Sequence, residues 1–285
     1  AGLVTIDHGL QPGSADQAAR VAAIGAELGL DPVMTVRVDV GTQGGLEAAA
    51  RTARYDALTA AADGAVVLLG HTLDDQAETV LLGLGRGSGP RSVAGMPAVD
   101  GCYLRPLLGL RRAVTVAACA AAGLDFWDDP HNADPSFQRV RLRHEVLPLL
   151  EDVLAGGVVE ALARTAELLR DDLAALDEIA STTFASVMIS VEPDKFPRPA
   201  GEHHDYLDVA RLADLPNAVR TRVLRLWVTR AGARPLSAER TTAVNELVTN
   251  WHGQGPVDLP GGVSVVRASG RLEAMPGPAP EENRV

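Results

Sequence analysis

Lysine is all but missing from this chain: Lys195 is the single lysine among 26 basic residues. A Walker-type GxxxxGK(S/T) phosphate loop is thereby excluded, because Lys195 stands between Asp194 and Phe196 with no such glycines before it. The arginine bias, together with abundant Ala and Gly, reads as GC-rich coding rather than as function. Cysteine is equally scarce. Cys102 and Cys119 are the only two, with no CxxC pair, which argues against a zinc site, an iron–sulfur cluster or a disulfide scaffold. Aromatic residues make up 4% while hydrophobic residues reach 46%, so the core must be built from Ala, Leu and Val, which suits helices packed on a sheet. No apolar run approaches the length of a membrane span, and the opening AGLVTIDHGL has no basic region ahead of an apolar one. A cytoplasmic protein without a membrane partner is expected.

At 285 residues the chain exceeds the usual size of one domain, and two are expected. Its net charge of −11 is unlike that of a nucleic-acid binder. The charge is uneven, however: residues 207–275 hold nine Arg against six Asp plus Glu, a surplus of three. A local basic patch can bind phosphates on an acidic protein, since distant charges are screened beyond roughly 8–10 Å. A solvated helix face is the simpler account of the same count.

Strand and helix alternate along the first half. Gly2 to Ile6 is a short β-branched run ending in Asp7-His8-Gly9, and a helix is expected from Ser14 to about Leu28, closed by Gly29. Val33 to Val40 alternates like a strand, Leu46 to Ala62 has helical spacing, and Ala65 to Leu69 is the continuous apolar run of a buried parallel strand. Leu73 to Leu84 reads as a helix, Gly83 to Pro97 as a glycine-rich loop and Leu110 to Ala122 as a further helix. This order predicts a doubly wound α/β sheet, whose ligands lie beyond the carboxyl ends of the strands, where His8 and His71 fall. Residues 1–155 are taken as this domain. Residues 156–275 are taken as a helical linker and a smaller, mostly helical C-terminal domain, which includes a hairpin turning at Ser269-Gly270. A loop is expected over 191–204, and the Pro-rich tail 276–285 is expected to be disordered.

The sharpest motif is His71-Thr72-Leu73-Asp74-Asp75-Gln76-Ala77-Glu78-Thr79, directly after the apolar run. Asp74, Asp75 and Glu78 lie near one side of a helix start. Capping explains one or two acids there, since the helix dipole favours them. Three acids beside a strand-end histidine form a cluster of like charges that suits a cation, either a metal or an ammonium group. Further on, Asp128-Asp129-Pro130-His131-Asn132 leads into Arg139 and Arg143, four residues apart. Arginine suits bidentate binding of carboxylate or phosphate, though a cap and a wet face would look the same. Arg51 and Arg54 share one side of their helix, where salt bridges to Glu47 or Asp56 are an equal alternative. The glycines of GLGRGSGPR either make a flexible loop or let backbone approach a phosphate.

The segments TIDHGL, EAAARTARYDAL, LLGHTLDDQAETVLLGLGRGSGPRSVAGM, LRPLL and DDPHNADPSFQRVRLRHEVLPLL together resemble the tRNA(Ile)-lysidine synthetase family of the PP-loop ATP-pyrophosphatase superfamily. The match is good over residues 3–150 and less distinct over 207–275, which resembles that family's tRNA-binding domain. The resemblance implies an adenine nucleotide alpha-hydrolase-like fold and a ligase that uses ATP and Mg²⁺. It implies adenylation of the wobble cytidine of tRNA(Ile) with a CAU anticodon. Free lysine then displaces AMP. It implies that Asp75 and Glu78 hold the lysine, that Arg139 assists lysine or nucleotide binding, and that Arg51 and Arg54 face ATP or the anticodon loop; Asp75, Glu78 and Arg139 are taken as catalytic. From their place in the motifs, Asp74 and Arg143 are added to the substrate site, and the strand-end His8 and His71 to the nucleotide site with Arg51 and Arg54. No protein metal site is expected, and homodimerisation is left open. The family's first strand and its SGGxDS loop are expected to precede Ala1. Val140 departs from the family's Asn after the Arg. A PP-loop thiolase would call for paired catalytic cysteines; a tRNA-binding relative without catalysis is the other alternative.

Overall fold

A computed structural model describes residues 1–9, 11, 13–41, 45–87, 89–127, 129–189 and 206–276. The loop expected over 191–204, the tail from 277 onward and Asp128 lie outside the described residues. The chain divides into two compact units. One comprises Ala1–Leu82 and Gly95–Arg164, the other Gly83–Ala94 and Thr165–Val285.

In the first unit, β1 (Leu3–Asp7) and β2 (Val33–Arg37) pair in parallel, with Leu3 opposite Val33 and Asp7 opposite Arg37. They are joined through α1 (Ser14–Glu27), which ends at Leu28 and Gly29 as its sequence predicts. The next helix, α2 (Leu46–Ala62), has the expected bounds and packs against both β1 and β3 (Val67–Leu68). After β3 come α3 (Leu73–Arg86), α4 (Pro90–Val93), β4 (Val99–Asp100) and β5 (Tyr103–Leu104). Strand β5 lies between β3, to which it is parallel, and β4, to which it is antiparallel. The α/β expectation holds. The 65–69 run, however, is not buried: Val66 and Leu68 are 61% and 67% exposed. An apolar strand is buried only where neighbours cover it, and β3 pairs on one side only among the described residues.

The unit continues with α5 (Arg112–Ala121), a 3₁₀ turn at Pro130–Ala133 and α6 (Gln138–Arg141). A π-helical turn over Leu142–Val146 leads into α7 (Leu147–Val153). Its small core joins Ala77 of α3, Leu147 of α7 and Val159 of α8 (Val158–Val187). Most of the stretch expected to be a glycine-rich loop is helical, since α3 runs on to Arg86 and α4 begins at Pro90. Gly83 allows this. A Cβ there would fall 2.0 Å from the Ser92 carbonyl oxygen, so the two segments approach only because the side chain is missing.

The second unit adds a sheet to the expected helices. Strands β6 (Met188–Ile189), β7 (Tyr206–Asp208), β8 (Val257–Leu259), β9 (Val263–Ala268) and β10 (Arg271–Pro276) assemble in the order β6-β7-β10-β9-β8, all antiparallel. Helices α9 (Val209–Ala213), α10 (Asn217–Arg230) and α11 (Ala238–Thr249) join most of α8 there, and α4, though it falls between β3 and β4 in the chain, also belongs to this unit. Phe184, Leu207, Leu224, Trp227, Leu247, Val265 and Leu272 fill the core between them. The β9–β10 hairpin turns at Ser269-Gly270, both with positive φ (49° and 76°), which a two-residue turn of this hand requires.

Candidate functional site

Helix α3 is set by a reciprocal cap. The Asp75 carboxylate accepts from the Thr72 backbone N–H at 2.8 Å and from its hydroxyl at 2.7 Å, while the Asp75 N–H reaches back to Thr72 Oγ1 at 3.5 Å. Capping by Asp75 is therefore part of its role. Its other oxygen accepts from Arg112 at 2.6 Å. Glu78, one turn on, is fully buried and accepts from Arg143 Nε at 2.8 Å, with Arg139 at 3.6 Å and Arg112 at 3.8 Å. Asp74 points elsewhere. It accepts from the Arg112 backbone N–H at 2.7 Å, pairs with Arg111 at 3.3 Å and secures the start of α5. The three acids thus do not converge on one open cation site. Arginines distant in sequence answer each of them, and Asp74 lies outside the cavity described next.

That cavity, of about 430 Å³, lies within the first unit beside the strand-end histidines. His8, Arg51, Arg54, His71, Asp75, Glu78, Arg139 and Arg143 line it, together with Ala50, Met96, Asp129, His131 and Phe137. Every expected site residue except Asp74 is therefore brought to one place. Arg51 and Arg54 have no carboxylate partner among the described residues. Their guanidiniums lie 4.9 and 5.6 Å from the Tyr55 ring centre. Tyr55 packs edge-on against Tyr103, whose hydroxyl donates to the Tyr55 carbonyl at 3.0 Å. Stacking on a fixed ring orders both guanidiniums while leaving their N–H groups available for an anion. Burial holds Arg54 below the usual arginine range.

Among the described residues, four buried side-chain atoms lack a hydrogen-bond partner, and three of them belong to residues that line this cavity: His8 Nδ1, His71 Nδ1 and Glu78 Oε2. Leaving such atoms unpaired costs about 1–3 kcal/mol each, so their grouping marks a place completed by a ligand. Burial is the main reason His71 is pushed down to about 4; Arg105, Arg54 and Arg51 add to it, and Asp75 opposes it. His8 is lowered by burial and by Arg54. Both rings are consequently neutral near pH 7 and can accept or donate one hydrogen bond. Burial raises Asp75, but its Thr72 hydrogen bonds and the charges of Arg112 and Arg143 outweigh this and hold it below the carboxylate range.

The depressed His71 pKa has a thermodynamic consequence. An imidazole whose pKa falls on folding contributes stability in full above about 6.5, and loses it as the pH drops towards about 4. Thermal unfolding followed from pH 7 to 4.5 should show wild type losing stability faster than His71→Gln. Parallel curves would show that this ring is not the group being titrated.

Met96 and Arg112 were not singled out from sequence, and Asp129 and His131 were noted only as part of a turn-rich cluster, without a role. The Asp128-to-Asn132 run could have suggested one. Met96 is placed by Gln76, which is buried and clamps its backbone: Gln76 Nε2 donates to the Met96 carbonyl at 2.8 Å, and the Met96 N–H donates to Gln76 Oε1 at 2.7 Å. Among the described residues no group of three or more metal-ligating side chains forms a metal site, and the carboxylates of Asp75 and Glu78 are engaged by arginines. In the second unit most of the arginine surplus is spent internally. Arg220 donates to Asn245 at 2.7 Å and to the Leu215 carbonyl at 2.8 Å, Arg267 donates to the Leu247 carbonyl at 2.9 Å, and Arg222 pairs with Asp177 at 2.9 Å. Arg234 and Arg240 are exposed. No helix is long and apolar enough to cross a membrane.

Parallel strands, a cavity at their ends and guanidiniums held ready for an anion define a nucleotide-using α/β protein, and residues 1–150 match the PP-loop domain family. Residues 207–273 match the TilS substrate binding domain. The chain is 54% identical over 285 residues to the tRNA(Ile)-lysidine synthase of Salinispora tropica, covering 96% of this chain and 82% of that one. It is 52% identical over 277 residues to that of Thermobifida fusca, at 95% and 82% coverage, and 52% identical to that of Leifsonia xyli, at 96% and 81%. The chain belongs to the tRNA(Ile)-lysidine synthase family. It is an ATP-using enzyme of tRNA modification. The U34-tRNA thiolase NcsA of Methanococcus maripaludis shares 16% identity with a TM-score of 0.47, covering 70% of this chain and 67% of that one. Neither Cys102 nor Cys119 lines the cavity.

Proposed function

We propose that this enzyme joins free lysine to the wobble cytidine of tRNA(Ile) bearing a CAU anticodon, in the cytoplasm, at the cost of one ATP. The observation that supports it most is the cavity itself, lined by four arginines and by three residues that each bury an atom without a hydrogen-bond partner. In this reading ATP supplies an adenylyl group to the C2 oxygen of cytidine, pyrophosphate departs, and the lysine side-chain amine attacks C2 to displace AMP. Arg51 and Arg54, ordered by Tyr55, meet phosphate charge. Arg139 and Arg143, held by Glu78, keep the acidic wall in place. Asp75 and Glu78 receive lysine, the unpartnered Glu78 Oε2 accepting an N–H from the attacking amine. The neutral rings of His8 and His71 bind polar edges of the nucleotide or base.

With labelled lysine, ATP and tRNA(Ile), the full-length enzyme should incorporate one lysine per tRNA while releasing AMP and pyrophosphate in equal amounts. Adenylation without lysine uptake would defeat the proposal. A further expectation concerns the exposed arginines of the second unit. Affinity for tRNA should fall with salt on a log–log slope of about −0.9 for each phosphate neutralised on a duplex stem, and Arg234→Gln with Arg240→Gln should flatten that slope. An unchanged slope would leave both as solvated surface.

A further inference from the structure

Three carboxylates face the cavity, and their surroundings differ. Asp75 has both oxygens in use, one on Thr72 and one on Arg112. Glu78 is buried among Arg143, Arg139 and Arg112. Asp129 has no arginine within ion-pairing distance among the described residues. One of its oxygens, Oδ1, accepts from Gln11 Nε2 at 2.7 Å and from the His131 backbone N–H at 2.9 Å. The other, Oδ2, accepts no hydrogen bond from any described residue. The His131 ring lies 3.8 Å from Oδ1 and contacts Gln11 on its Nδ1 side. Among the described residues that line the cavity, Asp129 is thus the carboxylate that no guanidinium offsets.

We propose that Asp129 holds the α-ammonium of free lysine, and so makes the enzyme demand an amino acid rather than a simple amine. This rests on the lysine-ligating function proposed above and deepens it. The two nitrogens of lysine have opposite needs. The side-chain nitrogen must shed its proton to attack a carbon, whereas the α-nitrogen must stay charged so that it does not compete. An uncompensated carboxylate favours the charged form of a neighbouring amine. Carboxylates already offset by arginine, such as Asp75 and Glu78, exert no such pull and leave the attacking amine free to be neutral. Charge distribution alone therefore assigns the two ends of the substrate.

Asp129 also caps the 3₁₀ turn at Pro130–Ala133, so its replacement must keep the cap. Asparagine caps as well as aspartate does. Asp129→Asn should therefore fold normally and melt within a few degrees of wild type, yet bind lysine roughly 10–100-fold more weakly by calorimetry, the loss of one charge-assisted contact. The KM for ATP should hardly change. The informative competitor is 6-aminohexanoate, which is lysine without its α-amino group. Wild type should prefer lysine to it, and Asp129→Asn should bind the two alike. Retained preference for lysine, or equal weakening towards lysine and ATP, overturns the assignment. A wild-type enzyme that binds and incorporates no lysine would remove the proposed function and this role with it. Uptake by wild type matched by Asp129→Asn would remove only the role.

Discussion

Glu78→Gln should lower kcat/KM for lysine by roughly 10–150-fold, since a charge-assisted contact is worth about 1.5–3 kcal/mol. The side chain is fully buried and is the common counter-ion of three arginines, at 2.8, 3.6 and 3.8 Å. The amide keeps the shape and one acceptor but presents an N–H₂ group to guanidiniums that have nothing to donate to. Arg139 and Arg143 then lose the anchor that fixes them in the cavity wall, and Asp75 cannot replace it because its oxygens are already taken. Asp75→Asn should have an effect of similar size, through Arg112 and the α3 cap. In both variants activity should fall much further than thermal stability, as steady-state kinetics and circular dichroism on one preparation will show. Wild-type lysine kinetics in the pair would end the assignment of this acidic wall to substrate.

The second large effect is one of stability, and it acts on the cavity from behind. Gln76→Leu removes both hydrogen bonds to the Met96 backbone and leaves its N–H and carbonyl buried without partners. At about 1–3 kcal/mol for each of the two orphaned groups, the expected loss is about 2–6 kcal/mol. For a chain of this size that is a fall in Tm of roughly 5–15 °C. Gly95→Ala tests the same contact from the other side. The glycine has φ +65°, and an added Cβ would lie 2.6 Å from Gln76 Oε1, so the amide would have to swing off Met96. Differential scanning calorimetry should rank both variants well below wild type. A Gln76→Leu protein that melts normally would mean that the clamp is dispensable.

Local structure was well written in the chain. The helical spacing over Leu46–Ala62, the Gly29 stop and the Ser269-Gly270 turn depend on neighbours a few residues away, and all three are present. Failures came where the outcome depended on distant partners. The apolar run before His71 looks the same whether or not something covers it, and Val66 and Leu68 prove exposed. The glycines of GLGRGSGPR read as a loop because spacing does not reveal that Gly83 serves a close approach to Ser92. In the site, spacing grouped the acids at the start of α3, but it could not show that Arg111, Arg112, Arg139 and Arg143 would return from positions 37 to 65 residues away to pair with them. Asp74 looked equivalent to Asp75 for the same reason, and spacing left Asp129 undecided between a cap and a functional group.

The π-helical turn at Leu142–Val146 makes the number of residues there matter as much as their identity. Each helical residue turns the chain by about 100°, and a wide turn resets that phase between two fixed points. Leu147 is locked into the core just after the turn, while Arg139 before it and Arg143 within it line the cavity. Removing one residue between them would spin the arginines about a quarter-turn from their targets while every side chain stayed chemically intact. Apart from Arg143, the turn therefore tolerates a change of residue more readily than a change of length: here function is kept in a count as much as in a letter.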